Sequence, residues 1–272
     1  MTTKLGLIGN GFVGGAARQL ACEKTEVYVY DIDADKCVPK GTTIDDVALC
    51  DIVFVAVPTP ATKDGSCFLG IVESVVDELK KSNPECSIVI RSTCPPGTAE
   101  RLGCMFMPEF LTESNANEDF CANPLWILGG ESSEVLQRVL TNAKESGCIA
   151  SDELLQMPSK EAELVKYVRN CFLATKVSFF NEVCSFCEKN GLDYESVRIG
   201  ATRDKRIGSG HSRVPGPDGR RGFGGICFPK DVAAWCDFAN AEYSIVRAAH
   251  ERNRNVDRSD RDWEKDKGRA VV

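Results

Sequence analysis

Histidine is scarce in this chain, with only His211 and His250 among 272 residues. A metal centre built from cysteine and histidine therefore has little support, although fourteen cysteines are present, and no metal site is expected. Surplus positive charge is missing as well. The net charge is −7, which argues against wholesale nucleic-acid binding. Long apolar runs are absent too: the longest strand-like one, Ile52 to Val57, is far too short to cross a bilayer, so no membrane partner is expected. The sequence shows no cationic, apolar leader, no internal repeat and no low-complexity tract. Its thiols are scattered and imply a reducing compartment, so a cytoplasmic protein is expected. The C-x-x-C from Cys184 to Cys187 lies inside a helical pattern without a second pair and reads as helix packing. With 43% hydrophobic content the chain can bury a sizeable core, and two domains are expected.

Proline and glycine are also absent from Glu161 to Lys189, where apolar residues recur at helical spacing (Leu164, Val165, Val168, Phe172). This predicts one helix of about 30 residues, roughly 45 Å long. Its apolar stripe calls for a partner, and a homodimer through this helix is the expectation. Lys166 and Asn170 lie four apart and share a face of it. As residues alone, they read as a solvated polar pair.

What is present begins with a dinucleotide fingerprint. An apolar strand, Lys4 to Ile8, runs into Gly9-Asn10-Gly11-Phe12-Val13-Gly14, a G-x-G-x-x-G. A helical segment from Phe12 to about Cys22 follows, then a strand from Glu26 to Tyr30 ending in Asp31. The glycines permit the tight turn and the approach of a pyrophosphate, and the acid lies about 20 residues on, where it would bond both ribose hydroxyls. Such an acid repels a 2′-phosphate, so NAD is favoured over NADP. Further strands are expected at Ile52 to Val57, Cys86 to Arg91, Met105 to Met107 and Leu125 to Leu128, with helices at Phe68 to Ser82 and Ser133 to Lys144. This alternation means an α/β fold with a doubly wound sheet. Thr59, Thr93 and Glu109 fall at strand carboxyl ends, where such sheets bind ligands. The expected organisation is a Rossmann-type domain over 1–158 and an all-α domain built on the long helix over 159–257. A charged, solvated tail over 258–272 completes it.

The second motif is Gly222-Phe223-Gly224-Gly225-Ile226-Cys227-Phe228-Pro229-Lys230-Asp231. A proline two residues after the cysteine suits the first turn of a helix. A thiol at a helix N-terminus is shifted toward the nucleophilic thiolate. Cys227 therefore reads as a covalent catalyst, against the alternative of a buried cysteine on a tight turn. Just before it, Arg203 to Arg221 is a Gly/Pro/Ser-rich loop with six basic residues, among them Arg206, Arg220 and Arg221. It reads either as a mobile solvated loop or as a wall for phosphate or diphosphate.

Together these motifs resemble the nucleotide-sugar dehydrogenases, the UDP-glucose 6-dehydrogenase and GDP-mannose dehydrogenase family. The matching pieces are GNGFVG, Asp31 with Lys36, VPTP (Val57 to Pro60), Ser92-Thr93, PEFLTES (Pro108 to Ser114), KYVRN (Lys166 to Asn170), KRIG (Lys205 to Gly208) and VPGPDGRRGFGG with CFPKD. They occur in family order from Lys4 to about Arg254. The resemblance implies oxidation of a sugar primary alcohol to a carboxylate with two NAD molecules reduced in turn. Cys227 would form a thiohemiacetal and then a thioester. Lys166 and Asn170 would hold charge on the substrate oxygen, and Asp231 and Glu109 would serve proton transfer and hydrolysis. Thr93, Glu113 and Lys230 would lie near the cofactor with Thr59 and the Gly9, Gly11, Phe12, Val13, Gly14 loop, and Asp31 and Lys36 at the adenosine ribose. Phe110, Leu111, Gly224 and Arg220 would line the nucleotide-sugar site, with Arg206 supplied by a neighbouring subunit. The resemblance also implies a second, nucleotide-binding Rossmann-like domain in family members, one that this sequence is expected to lack. Two other readings stay open: a hydroxyacid-type dehydrogenase transferring a single hydride, and a non-catalytic remnant.

Overall fold

The computed structural model describes residues 2–241 and 243–272; Met1 and Glu242 carry no expected role. The chain divides into two compact units, Met1–Thr59 with Leu69–Lys166, and Pro60–Phe68 with Tyr167–Val272.

The first unit is built on seven strands: β1 (Thr3–Ile8), β2 (Thr25–Tyr30), β3 (Ile52–Val55), β4 (Ile88–Ile90), β5 (Met105–Phe106), β6 (Trp126–Gly129) and β7 (Leu154–Met157). Their order in the sheet is β2-β1-β3-β4-β5-β6-β7. All neighbours are parallel except β5 and β6, which meet antiparallel through Phe106 and Gly129. The sheet is thus mixed rather than wholly parallel. The reversal of strand order falls beside β1, so the loop after β1 lies at the switch point where such sheets take ligands.

Six helices complete this unit: α1 (Phe12–Ala17), α2 (Ile44–Ala48), α3 (Gly70–Ser82), α4 (Thr98–Arg101), α5 (Ala116–Cys121) and α6 (Glu134–Glu145). Alternate residues of β3 feed opposite faces, as a strand buried on both sides requires. Ile52 and Phe54 join Ala16, Phe120 and Leu140 under α1, α5 and α6. Val53 and Val55 join Val47, Val76 and Ala99 under α2, α3 and α4. The expected helix from Phe12 to Cys22 is shorter, because α1 tightens into a 3₁₀ turn over Arg18–Leu20.

The long helix is α7 (Ser159–Lys189), 31 residues without a break. Its first turns belong to the first unit. Ala162 is buried in the second apolar cluster, and the Glu163 carboxylate accepts the Gly97 and Ala99 N–H groups. This moves the boundary from the expected 158/159 to 166/167.

The rest of α7 joins α8 (Tyr194–Thr202), α9 (Cys227–Phe238) and α10 (Ile245–Arg252) in the second unit. Its core is small, with Cys171, Ala174, Phe223, Val232 and Cys236. The segment expected as a solvated tail is part of this unit. Asn253, Arg258 and Trp263 are buried. The Asn253 amide donates to Phe223 O and its Oδ1 accepts the Phe223 N–H, at 2.9 and 2.8 Å. On the outward face of α7, Phe172, Phe179 and Phe186 are exposed at intervals of seven residues.

Candidate active site

The glycine loop has the backbone its residues predict. Gly9 lies at φ +91°, in the left-handed region where L side chains are strained. A Cβ on Gly14 would stand 1.8 Å from the Gly9 carbonyl oxygen. Around Gly11, by contrast, nothing comes within 4 Å of such an atom, so its backbone is open to a ligand. The Asp31 carboxylate at the end of β2 accepts the Asn10 and Asp33 N–H groups at 2.7 and 2.9 Å, which orients it and leaves lone pairs for hydroxyls. Lys36 is exposed and its ammonium sits 3.3 Å from Asp33. Phe12 and Val13 open α1, half-buried. Thr59 and Thr93 are buried, and Glu113 is exposed. Ser92 Oγ accepts the Val57 N–H at 2.9 Å and so pins the strand end that leads to Thr59. A cleft of about 790 Å³ runs beside α1, but of the expected cofactor residues it touches only Gly11, Phe12 and Glu113.

Further along the same unit, Lys166 Nζ donates to Glu109 Oε1 at 2.6 Å and to the Glu109 carbonyl at 2.8 Å, with both side chains 4% exposed. The Leu111 N–H donates to the other carboxylate oxygen. Burial alone would raise the Glu109 carboxyl. Lys166, the Leu111 N–H and Arg91 outweigh it and hold the group below the usual carboxylate value. Phe110 and Leu111 are half-buried beside it. Arg91 did not stand out in the sequence. Its guanidinium lies over the rings of Phe54 and Phe120, 5.4 and 5.8 Å from their centroids. Burial pushes its pKa down to about 10 against the pull of Glu109. The signal for it was a charge closing an apolar strand, CSIVIR.

In the second unit a different carboxylate gathers the remaining groups. Asp231 accepts from Asn170 Nδ2 at 2.6 Å and from Lys230 Nζ at 2.5 Å. Burial opposes the charge on Lys230, but Asp231 and then Cys227 prevail and raise its pKa. Cys227 is the first residue of α9 and is half-buried, so the motif starts a helix as expected. Burial pushes Cys50 up to about 12 and Cys86 and Cys104 to about 11, which makes them inert packing groups. None of the fourteen cysteines is in a disulfide, and the described residues hold no cluster that could bind a metal.

The basic loop is less free than its sequence suggests. Arg220 pairs with Asp260 and Asp262, Arg221 with Glu188, and Arg206, although exposed, with Asp204. Gly224 has a structural reason to be glycine, since a Cβ there would stand 2.4 Å from the guanidinium carbon of Arg258. Arg258 itself is buried and paired with Asp218 and Asp262.

Residues 37–143 match the NAD binding domain of the UDP-glucose/GDP-mannose dehydrogenase family, and residues 160–255 match its central domain. The chain belongs to this family. It is 35% identical over 246 residues to the UDP-glucose 6-dehydrogenase of Pseudomonas aeruginosa, covering 82% of this chain and 52% of that protein. The chain thus spans about half the length of the curated relatives it matches. Among solved structures, a UDP-glucose dehydrogenase from Pyrobaculum islandicum superposes with a TM-score of 0.81 at 28% identity, over 94% of this chain and 68% of that one. The 3-hydroxyisobutyrate dehydrogenase of Mycobacterium tuberculosis shares the fold, with a TM-score of 0.70 at 17% identity over 92% of both chains. The cofactor of the matched domain is NAD. The open backbone at Gly11 and the oriented carboxylate of Asp31 fit it. Among the described residues no helix is long and apolar enough to cross a membrane.

Proposed function

We propose that the chain is an NAD-dependent nucleotide-sugar dehydrogenase that oxidises UDP-glucose to UDP-glucuronate in the cytoplasm. The observation that carries this reading is Cys227 at the start of α9, next to the buried Lys230–Asp231–Asn170 network. Oxidation of an alcohol to a carbonyl needs no thiol, whereas oxidation onward to an acid gains from covalent capture.

In this mechanism Lys166 and Asn170 donate hydrogen bonds to the sugar oxygen as it gains negative charge. Glu109, kept anionic by Lys166, takes protons from the substrate side. Bound NAD would supply the hydride acceptor, one molecule for each of the two oxidations. Between them, Cys227 Sγ bonds to the aldehyde carbon to give a thiohemiacetal, and loss of the second hydride leaves a thioester. Asp231, with its lone pairs held by Asn170 and Lys230, activates the water whose attack breaks the C–S bond and returns the thiol. Thr59, Thr93 and Glu113 serve the cofactor, and Phe110 and Leu111 the sugar. Asp31 and Lys36 serve the ribose; Arg206, Arg220 and Gly224 serve the nucleotide. The exposed Phe172, Phe179 and Phe186 support a homodimer through α7.

The test counts NADH per sugar with UDP-glucose and GDP-mannose. Two NADH and an acid support the reading. One NADH and a carbonyl point to a single-hydride enzyme, and none with intact NAD binding to a non-catalytic protein. Cys227→Ser is expected to block the acid while leaving NAD affinity near normal.

A further inference from the structure

The second unit carries a cleft of about 710 Å³ that reaches Pro229 and Lys230 of the Cys227 motif and is otherwise lined by residues with no role above. Three elements of that unit form it: the 61–65 loop, the outer face of α9 and the face of α10 that continues into the C-terminal segment. Arg247, His250 and Arg254 recur at spacings of three and four, so one face of α10 and the helical turn after it presents all three to the cleft. Arg261 and Lys267 face it from the C-terminal segment, and Lys63 from the loop.

The cations outnumber their partners. Asp64 is turned to Thr62 and Ser66 on its own loop, and these hydrogen bonds hold its pKa down to about 2. Glu264 is shared at 3.8 and 4.0 Å between Arg254 and Arg261. Asp237, on α9, is the remaining acidic side chain in the lining. Arg247 donates to the Cys236 carbonyl, a neutral acceptor. Arg261 Nε is buried with no hydrogen-bond partner among the described residues, an arrangement that asks for an acceptor. His250 registers the resulting field. Burial, followed by Arg254, Arg247 and Arg261, pushes its pKa down to about 4. Trp263 is buried in the wall.

We propose that this cleft binds a small phosphate-bearing anion of the diphosphate type, held by Arg247, Arg254 and Arg261. Guanidinium forks match phosphate oxygens with paired, charge-assisted hydrogen bonds. An anion here relieves the mutual repulsion of three cations and allows His250 to take up a proton.

The experiment is calorimetric titration of the chain at about pH 6 with inorganic diphosphate, inorganic phosphate and UDP, in two buffers of different ionisation enthalpy. Diphosphate is expected to saturate one site and to drive proton uptake that disappears in His250→Asn. Arg254→Gln is expected to weaken it about tenfold, the size of one charge-assisted contact. Arg254→Lys, which keeps the charge, is expected to retain most of the affinity and guards against a Gln variant that fails to fold. Binding of UDP alone, with the same sensitivity to Arg254, makes a nucleotide the source of the diphosphate. No saturable binding of any of the three, or binding indifferent to Arg254→Gln, overturns the proposal. NAD titration of the same variants is the control for the first unit, so failure here leaves the dehydrogenase reading separately testable.

Discussion

The first unit fills both faces of a sheet with apolar side chains, whereas the second surrounds one small apolar cluster with paired charges. Arg258 shows the difference. Its side chain is 4% exposed, as buried as a core leucine, yet it is held by Asp218 and Asp262. Arg220 binds Asp260 and Asp262, and Arg252 binds Asp257. Hydrophobic burial is non-directional and tolerates many arrangements. A buried ion pair stabilises little by itself but penalises every arrangement that separates it. The second unit therefore depends on a few charged contacts, of which Arg220 with Asp260 and Asp262 and Arg258 with Asp218 join residues about 40 apart in the chain.

The largest expected effect tests the apolar side of this comparison. Phe54→Ala removes a ring buried between β3, Phe120 and Arg91. It is expected to cost about 4 kcal/mol by urea unfolding, with little dependence on salt. A loss below about 1 kcal/mol would mean that the cluster can collapse around the gap. Next is Arg258→Ala, which takes the ion partner from Asp218, leaves Asp262 with Arg220 alone and opens space over Gly224. Asp218 is partly exposed, so the expected cost is smaller, about 2–3 kcal/mol. Hydrogen exchange at the Phe223 N–H should quicken with it; unchanged protection there would detach the turn from the ion pairs.

The smallest effect concerns pH and the second unit alone. His250 is held well below the ordinary histidine value, so the folded form binds fewer protons than the unfolded chain between about pH 6.5 and 4. Its contribution is present above about pH 6.5 and lost as pH falls through that window, on the order of 2 kcal/mol. His250→Gln should flatten the stability profile there. His211 is shifted in the same direction by burial and Lys176, so the difference between variant and parent is the quantity to measure. A profile that keeps its slope in the variant would move the effect to His211.

The same contrast explains what could be read from sequence. β1 and β3 were legible because a strand covered on both faces must be a continuous apolar run, and β2 because it follows the glycine loop and ends in Asp31. β7 was missed: Leu154–Met157 sits at the sheet edge with Leu155 and Gln156 exposed and shows no buried run. The antiparallel step between β5 and β6 rests on one residue pair, for which sequence holds no pattern. The short α2 and α8 did carry signals, a Thr43–Asp46 capping box and an Asp193 cap. In the site, the spacing of Lys166 and Asn170 was visible but their destinations were not. Each takes a different carboxylate, 57 and 61 residues away in sequence. The charged tail was misread for a related reason: its acids and arginines find partners near residues 218–220, and a linear reading treats every unpaired charge as solvated.

Lys166 has one more consequence, which follows from valence. An ammonium carries three N–H bonds, and Glu109 takes two of them, one at its carboxylate and one at its carbonyl. A single N–H is left to reach outward. An incoming oxygen can therefore be met there by one hydrogen bond with its direction already set, and two oxygens cannot be met at once.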